Sequence, residues 1–256
     1  MTIPVHPSSP SAPPTRVAVV TGGSKGIGRA AAQTLAAAGH TVVVNYADDD
    51  GIAHETVEGL QASGATALAI KADVADEIGV AAMFDTVEQT FGGVDVVVHA
   101  AARMRLSTVA DLDLDLDELD ALHRTNIRGT VVVAQQAARR VRPGGAIIAL
   151  STSVLGLATP TYGAYAASKG AVEALTLVLA QEMRGRDVTV NAVAPGPTFT
   201  DLFFTGKDQA TVDRLAAQPP LGRLGTALDI AAAITFLAGP GRWVNGQDLW
   251  VNGGIV

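Results

Sequence analysis

The sequence predicts an α/β fold: a doubly wound, seven-stranded parallel sheet with helices on both faces. Strand-like and helix-like segments alternate from residue 17 to residue 251, as a parallel sheet with crossover helices requires. The strand-like segments are runs of Val, Ile and Ala without polar alternation, which is typical of strands buried on both faces. A glycine-rich turn separates the first strand from the first helix.

That turn is the most informative stretch of the chain. The apolar run 17–21 breaks into Gly-Gly-Ser-Lys-Gly-Ile-Gly at 22–28, and an alanine-rich helix is predicted over 29–38. Gly22, Gly26 and Gly28 leave no Cβ, so that the backbone can approach a bound group closely. The following helix points unpaired N–H groups and its positive end at the turn. The pattern predicts a pyrophosphate site for a dinucleotide, although taken alone it also fits a tight connection without a ligand.

The other elements follow in order. The further strands are predicted at 40–46, 65–70, 94–98, 144–150, 188–193 and 248–251, and the further helices at 52–62, 77–91, 116–140, 161–184 and 227–237. Residues 198–220 contain three Phe and paired prolines, and so long an excursion between elements predicts a lid over the substrate. The Pro- and Ser-rich residues 1–15 predict a disordered tail, and residues 16–256 predict a single domain.

Composition excludes several classes of protein. A net charge of −7 argues against a nucleic-acid or anionic-membrane surface, and the lack of cysteine removes disulfides and thiolate metal sites. No ligand-spaced histidine pair is present, so no metal is predicted. The acidic alternation at 111–117 could bind a cation, but an acidic start to the helix 116–140 is the favoured interpretation. No signal peptide or apolar span is found, and we expect a cytoplasmic protein.

A second motif carries chemistry. Tyr165 and Lys169 are four residues apart in a predicted helix and therefore share a face. A free Tyr titrates near ~10, and an adjacent cation lowers that pKa. The tyrosine could then pass a proton to or from a carbonyl oxygen, a role worth roughly 10²–10⁴ in rate. The alternative is an ordinary helix face with a snorkelling lysine. Hydroxyls at 151–153 follow the fifth strand, where parallel sheets place their ligands.

Together these motifs resemble the short-chain dehydrogenase/reductase family over residues 17–254. The matches are the TGxxxGxG turn at 21–28, Asp73-Val74, Asn126, the set Ser153, Tyr165 and Lys169, the segment 191–200, Gly246-Gln247 and 252–254. The resemblance implies a Rossmann fold that binds NAD(P) and interconverts a carbonyl and an alcohol. It also implies a homotetramer packed through the helices at 116–140 and 161–184 and the last strand.

The resemblance also implies residue roles. Tyr165 is the acid-base residue, Lys169 lowers its pKa and holds the nicotinamide ribose, and Ser153 orients the carbonyl. Asn126 supports a water that links Lys169 to solvent. The implied cofactor-binding residues are Gly22, Ser24, Lys25, Gly26, Ile27, Gly28, Asn45, Tyr46, Asp73, Val74, His99, Ala100, Ala101, Tyr165, Lys169, Pro195, Gly196, Thr198 and Thr200.

Two stretches depart from the family pattern. His-Ala-Ala-Ala at 99–102 stands in place of Asn-Asn-Ala-Gly, and we expect cofactor binding to survive that change. The step from Ser153 to Tyr165 is twelve residues, one fewer than the family pattern. Thr152 could therefore supply the hydroxyl, although the Ser-Val-Leu-Gly sequence that begins at Ser153 favours Ser153.

Cofactor choice depends on the end of the second strand, where an acidic residue would bind the ribose diol and repel a 2′-phosphate. Asn45-Tyr46-Ala47 offers none, and Lys25 could attract that phosphate. These residues favour NADP(H), while the acidic run 48–50 could fold back and favour NAD(H).

The predicted function is that of an NADP(H)-dependent carbonyl reductase, in pattern closest to 3-oxoacyl-(acyl carrier protein) reductases. Docking of a carrier protein would use basic residues, for which the candidates are Arg103, Arg105, Arg139, Arg140 and Arg142. A small ketone, a polyol or a cyclic alcohol fits equally well. The alternative function is that of a catalytically silent NAD(P)-binding sensor or scaffold.

Overall fold

A computed structural model describes residues 15–110 and 116–256 of the chain. Within them, seven strands form one parallel sheet in the order β3-β2-β1-β4-β5-β6-β7, which confirms the predicted fold class. The strands are β1 Val17–Thr21, β2 Thr41–Tyr46, β3 Ala67–Lys71, β4 Val94–His99, β5 Val141–Leu150, β6 Thr189–Pro195 and β7 Asp248–Val251.

Helices connect the strands and cover both faces of the sheet. They are α1 Gly26–Ala37, α2 Asp50–Ala62, α3 Glu77–Phe91, α4 Leu116–His123, α5 Gly129–Arg140, α6 Val154–Leu157, α7 Gly163–Glu182, α8 Asp201–Phe204, α9 Gln209–Ala216 and α10 Ala227–Ala238. A short π-helix, Arg124–Arg128, joins α4 to α5.

Two apolar layers sandwich the sheet because alternate side chains of each strand point to opposite faces. Val20 and Val96 pack with α1, α2 and α10 on one face. Val19 and Val97 pack with α3, α5 and α7 on the other. Each central strand therefore needs apolar side chains at every position, which explains the continuous β-branched runs in the sequence.

The strand order places a crevice at the carboxyl end of the sheet. β1 lies between β2 and β4, so that the connections after these strands leave towards opposite sides. Open parallel sheets bind their ligands in the crevice that opens at such a switch point. Here the glycine-rich turn after β1 and residues 100–104 after β4 border that crevice.

The structure differs from the predicted elements in several places. The predicted helix 116–140 is interrupted by the π-helix, and α1 begins at Gly26 instead of 29. Residues 198–220 contain α8 and α9, which begin at side-chain caps from Thr200 and Asp208. The acidic residues 111–115, and with them part of the weighed cation site, lie outside the described residues, as does the predicted tail up to 14. Every helix in the described part is too short or too polar to span a bilayer.

Candidate active site

One continuous cavity of about 760 Å³ opens at the carboxyl ends of the strands. The glycine-rich turn lines one end, and Tyr165 and Lys169 line the other. The predicted site residues that line it are Gly22, Ser24, Lys25, Gly26, Ile27, Gly28, Asn45, Tyr46, Asp73, Val74, Ala100, Ala101, Ser153, Tyr165, Lys169, Pro195, Gly196, Thr198 and Thr200. Residues from seven separate segments of the sequence therefore meet in one site.

The glycine-rich turn has the properties of an anion cradle. Gly22 adopts φ +60°, and a Cβ on it would lie 2.9 Å from the Ala101 Cα. A Cβ on Gly28 would lie 2.1 Å from the Gly22 carbonyl oxygen. The helix α1 that begins here has no side-chain cap at Lys25, so its first N–H groups remain available to a ligand in the cavity. The turn thus fits a dinucleotide pyrophosphate.

At the far end of the turn, β2 and β3 shape a polar pocket. The Asn45 amide donates to the carbonyl oxygens of Ile70 and Ala72, at 3.3 and 3.0 Å, and so fixes the end of β2. Asp49 accepts from Lys25 at 3.2 Å and also caps α2. The acidic run therefore does fold back onto Lys25, as one of the two interpretations of the sequence required.

Tyr165 stands at the other end of the cavity. It is buried, and the Thr152 side chain is near enough to its hydroxyl to lower its pKa. The neighbouring Ser153 is also buried, but its hydroxyl donates to the Ala194 carbonyl at 3.2 Å. Of the two hydroxyls that the sequence left open, the structure therefore brings Thr152 to the phenol.

Lys169 lies one helical turn after Tyr165 on α7. Its Nζ donates to the Leu150 carbonyl oxygen at 2.6 Å and lies 5.9 Å from the centroid of the Tyr165 ring. Burial lowers the pKa of Lys169 to about 8. Burial also raises the pKa of Tyr165 to about 12, against the lowering effect of the Thr152 hydrogen bond. Desolvation is the largest influence on both groups, and the Lys169 ammonium is directed at Leu150; the lowering of the tyrosine pKa by Lys169 stays a prediction.

Asn126 lies in the π-helix and does not line the cavity. Its side chain accepts from the Arg103 N–H at 2.8 Å, and its amide donates to the Arg103 carbonyl at 2.8 Å and to Ser168 at 3.0 Å. The π-turn, a feature often found at functional sites, thus ties the loop after β4 to the helix that carries Tyr165.

His99 requires a correction, because it does not line the cavity as the cofactor assignment expected. Its ring is buried, and Nδ1 is 2.8 Å from the Thr21 hydroxyl on β1. Burial, with a smaller effect of Lys169, lowers the pKa of His99 to about 3. The neutral imidazole joins β4 to β1 behind the site.

The apolar end of the cavity contains Phe203 and Leu215 from the predicted lid, and also residues that the sequence analysis did not single out. This end is lined by Met104, Leu157, Tyr162, Phe203 and Leu215, which come from unconnected loops and helices. The Tyr162 and Tyr165 rings meet edge to face with centroids 6.4 Å apart. These residues form an apolar wall of the cavity, and Tyr162 brings that wall to the Tyr165 ring.

Two sequence predictions concern a metal ion and the docking of a carrier protein. Among the described residues, no group of three or more His, Asp and Glu side chains is placed to hold a metal ion. Of the candidate docking arginines, Arg140 pairs with Asp85 and Glu88, and Arg142 pairs with Asp95. Those two side chains are therefore engaged within the fold.

Comparisons with known proteins agree with this geometry. Residues 22–256 match the family model described as enoyl-(acyl carrier protein) reductase. A short-chain type dehydrogenase/reductase of Picea abies is 41% identical, over 94% of this chain and 92% of the relative. An NADPH-dependent aldehyde reductase-like chloroplastic protein of Arabidopsis thaliana is 40% identical, over 97% and 98%. The crystal structure of a short chain dehydrogenase from Burkholderia cenocepacia J2315 in complex with NADP superposes with a TM-score of 0.87 at 38% identity, covering 94% and 97%.

Proposed function

The chain belongs to the short-chain dehydrogenase/reductase family, and on that premise we propose that it is an NADPH-dependent reductase of aldehydes or ketones. The observation that carries the proposal is the position of the Tyr165 hydroxyl. It lies in the same cavity as the uncapped N-terminus of α1 and beside an apolar wall. A proton donor, a dinucleotide cradle and a substrate pocket are thereby adjacent.

The residues of this chain have separate tasks in the proposed reaction. Tyr165 donates a proton to the carbonyl oxygen as hydride, which bound NADPH supplies, reaches the carbonyl carbon. Thr152 holds the same oxygen in place through its contact with the phenol. The motif had favoured Ser153 for this task. Lys169 provides positive charge in a buried site, where it favours the phenolate that remains after proton transfer.

Three features support NADP(H) over NAD(H). The end of β2 is Asn45-Tyr46-Ala47 without a carboxylate, Lys25 lies in the turn, and the relatives named above include an NADPH-dependent reductase and an NADP complex. Asp49 opposes this choice because it neutralises Lys25. A 2′-phosphate would compete with Asp49 for the lysine.

We further propose that residues 198–220 are the substrate lid and that the protein is a homotetramer. Leu202, Phe203 and Leu215 from that segment line the cavity. Exposed apolar residues on α7, Leu177 and Val178, and Val131 on α5 offer surfaces for packing between subunits. Size-exclusion chromatography with light scattering measures the assembly. A cytoplasmic location stays a prediction, and the Arabidopsis relative is named as chloroplastic.

Turnover tests the function directly. Purified protein is mixed with NADPH and a panel of aldehydes and ketones of increasing apolar bulk, and the loss of nicotinamide absorbance is followed. We expect turnover by the natural chain and a loss of roughly 10²–10⁴ in kcat for Tyr165→Phe, with NADPH binding retained. NADPH binding without turnover of any carbonyl would instead favour the silent sensor or scaffold.

A further inference from the structure

The end of β5 is fastened to α7 by three contacts in a row. The Leu150 carbonyl accepts from Lys169 at 2.6 Å, the Ser151 hydroxyl donates to Glu173 at 2.5 Å, and the Thr152 side chain lies beside the Tyr165 hydroxyl. Tyr165, Lys169 and Glu173 are spaced four residues apart, so they share one face of the helix. The hydrogen bond between Ser151 and Glu173 therefore lies in the same row as the contacts of Lys169 and Tyr165.

Glu173 has a second partner on the edge strand. Asp248 Oδ1 is buried without a conventional donor, and Glu173 is the neighbouring group that acts on this carboxyl. Two ionised carboxylates only accept hydrogen bonds, so a hydrogen bond between these two requires a proton between them. Since Ser151 already donates to Glu173, the shared proton completes the bonding of that carboxyl. Burial, followed by the contact with Glu173, raises the pKa of Asp248 to about 7.

The surroundings of the pair are otherwise uncharged. β6, α6 and the remainder of β7 consist of uncharged residues, and so does the adjacent end of β5. Lys169, one turn earlier on α7, is the other charged group on the shared helix face, and its Nζ is bonded to Leu150. No cation in these elements therefore compensates a second negative charge at Glu173 and Asp248.

We propose that Glu173 is a positioning residue of the reaction centre: through a proton shared with Asp248 it fixes Ser151 and thereby holds the adjacent Thr152 hydroxyl against Tyr165. The effect on rate rests on the proposed function, whereas the effect on stability does not. When the shared proton is lost, the two negative charges of Glu173 and Asp248 repel each other, and the hydrogen bond between Glu173 and Ser151 is weakened. The glycine-rich turn, which would hold the pyrophosphate, lies away from these contacts, so that most of the binding of NADPH should be retained.

Asp248→Asn is the decisive variant because its amide donates to Glu173 at every pH. In the natural protein, Asp248 has a raised pKa, so stability declines as pH rises from 3.8 towards about 7 and stays low above it. We expect thermal melting of Asp248→Asn to lack this decline. We also expect kcat with a reducible carbonyl to fall around pH 7 in the natural protein and to be retained there in the variant, in which the Lys169 proton, lost at about pH 8, still limits the rate at higher pH. Glu58→Gln, an exposed carboxylate on α2, is the matched control and should behave as the natural chain does.

Ser151→Ala tests the link to the reaction centre. Loss of one buried hydrogen bond should lower kcat by about 3- to 10-fold, and the KM for NADPH should not change. Melting curves for the natural protein and Asp248→Asn that respond identically to pH would overturn the proton-sharing pair. An unchanged kcat for Ser151→Ala, or a parallel rise in the KM for NADPH, would overturn the positioning role. If no carbonyl is reduced, the proposed function and the positioning role fail together, while the melting experiment still decides the pair.

Discussion

Lys169 is a buried cation, and burial of its charge lowers the free energy of unfolding. Lys169→Met removes that charge and so measures how much stability is lost. Burial lowers the Lys169 pKa from 10.5 to about 8. The lysine in the unfolded chain keeps its proton up to the higher value, whereas the folded protein releases it at the lower one. The contribution of Lys169 to the free energy of unfolding is therefore lowest below about pH 8 and increases as pH rises towards 10.5.

The size of the effect follows from the two pKa values. At about 1.4 kcal/mol for each pKa unit, the difference corresponds to about 3.5 kcal/mol. Lys169→Met has no such titration, so the free energy of unfolding of the natural protein should rise by about 3.5 kcal/mol relative to the variant across this interval. Other groups that titrate in the same range are common to both proteins and cancel in the comparison.

Urea unfolding followed by circular dichroism at a series of pH values measures this difference. Lys71→Met is the matched control, because Lys71 is exposed and its pKa is raised, chiefly by a hydrogen bond with Asp50. Its difference from the natural protein should stay constant over the same interval. A constant difference for Lys169→Met as well would refute the conclusion that Lys169 is held as a desolvated cation.

Three further predictions concern the site. Thr152→Val should lower kcat by about 10- to 100-fold, because a hydrogen bond to a group that becomes charged is lost, whereas Ser153→Ala should keep a kcat close to that of the natural protein. Steady-state kinetics with one carbonyl substrate measures both variants, and a larger loss for Ser153→Ala would restore the serine assignment. Gly28→Ala should abolish NADPH binding in a fluorescence titration, because the new Cβ would lie 2.1 Å from the Gly22 carbonyl oxygen. Gly59→Ala is the control: its Cβ would have no atom within 4 Å, and the substitution should raise the free energy of unfolding by about 0.5–1 kcal/mol. Asp49→Ala frees the paired lysine and should lower the KM for NADPH up to about 5-fold, the value of an exposed ion pair, without changing the KM for NADH; equal changes for both cofactors would contradict this role.

The sheet and its connections could be predicted from sequence because burial on both faces imposes a simple pattern. Val19 and Val20 must both be apolar, since each faces a different helical layer. The pattern of apolar residues does not, however, predict where a helix is interrupted. Residues 116–140 read as one helix because the π-helix at 124–128 contains no Gly or Pro. Within it, Asn126 bonds to Arg103 and Ser168, contacts with residues distant in sequence that leave no local pattern.

Within the site, sequence identified which residues gather but not how they point. Tyr165 and Lys169 do share a helix face, yet the sequence carried no information on the depth at which they are buried. That depth determines the direction of both pKa shifts. The position of Thr152 beside Tyr165 likewise depends on how the chain turns after β5, a matter of one residue that a motif with a variable gap does not resolve.

The π-turn also has a consequence for how this gene can change. A helix with one extra residue in a turn places everything before that residue about 100° around the axis from where a regular helix would put it. Removing a single codon within 124–128 would restore ideal helical geometry and rotate α4 by that angle, and Asn126 would lose its reach to the loop after β4. A deletion that makes the helix regular should therefore cost the connection between α7 and the loop after β4, although the helix backbone itself would remain hydrogen-bonded.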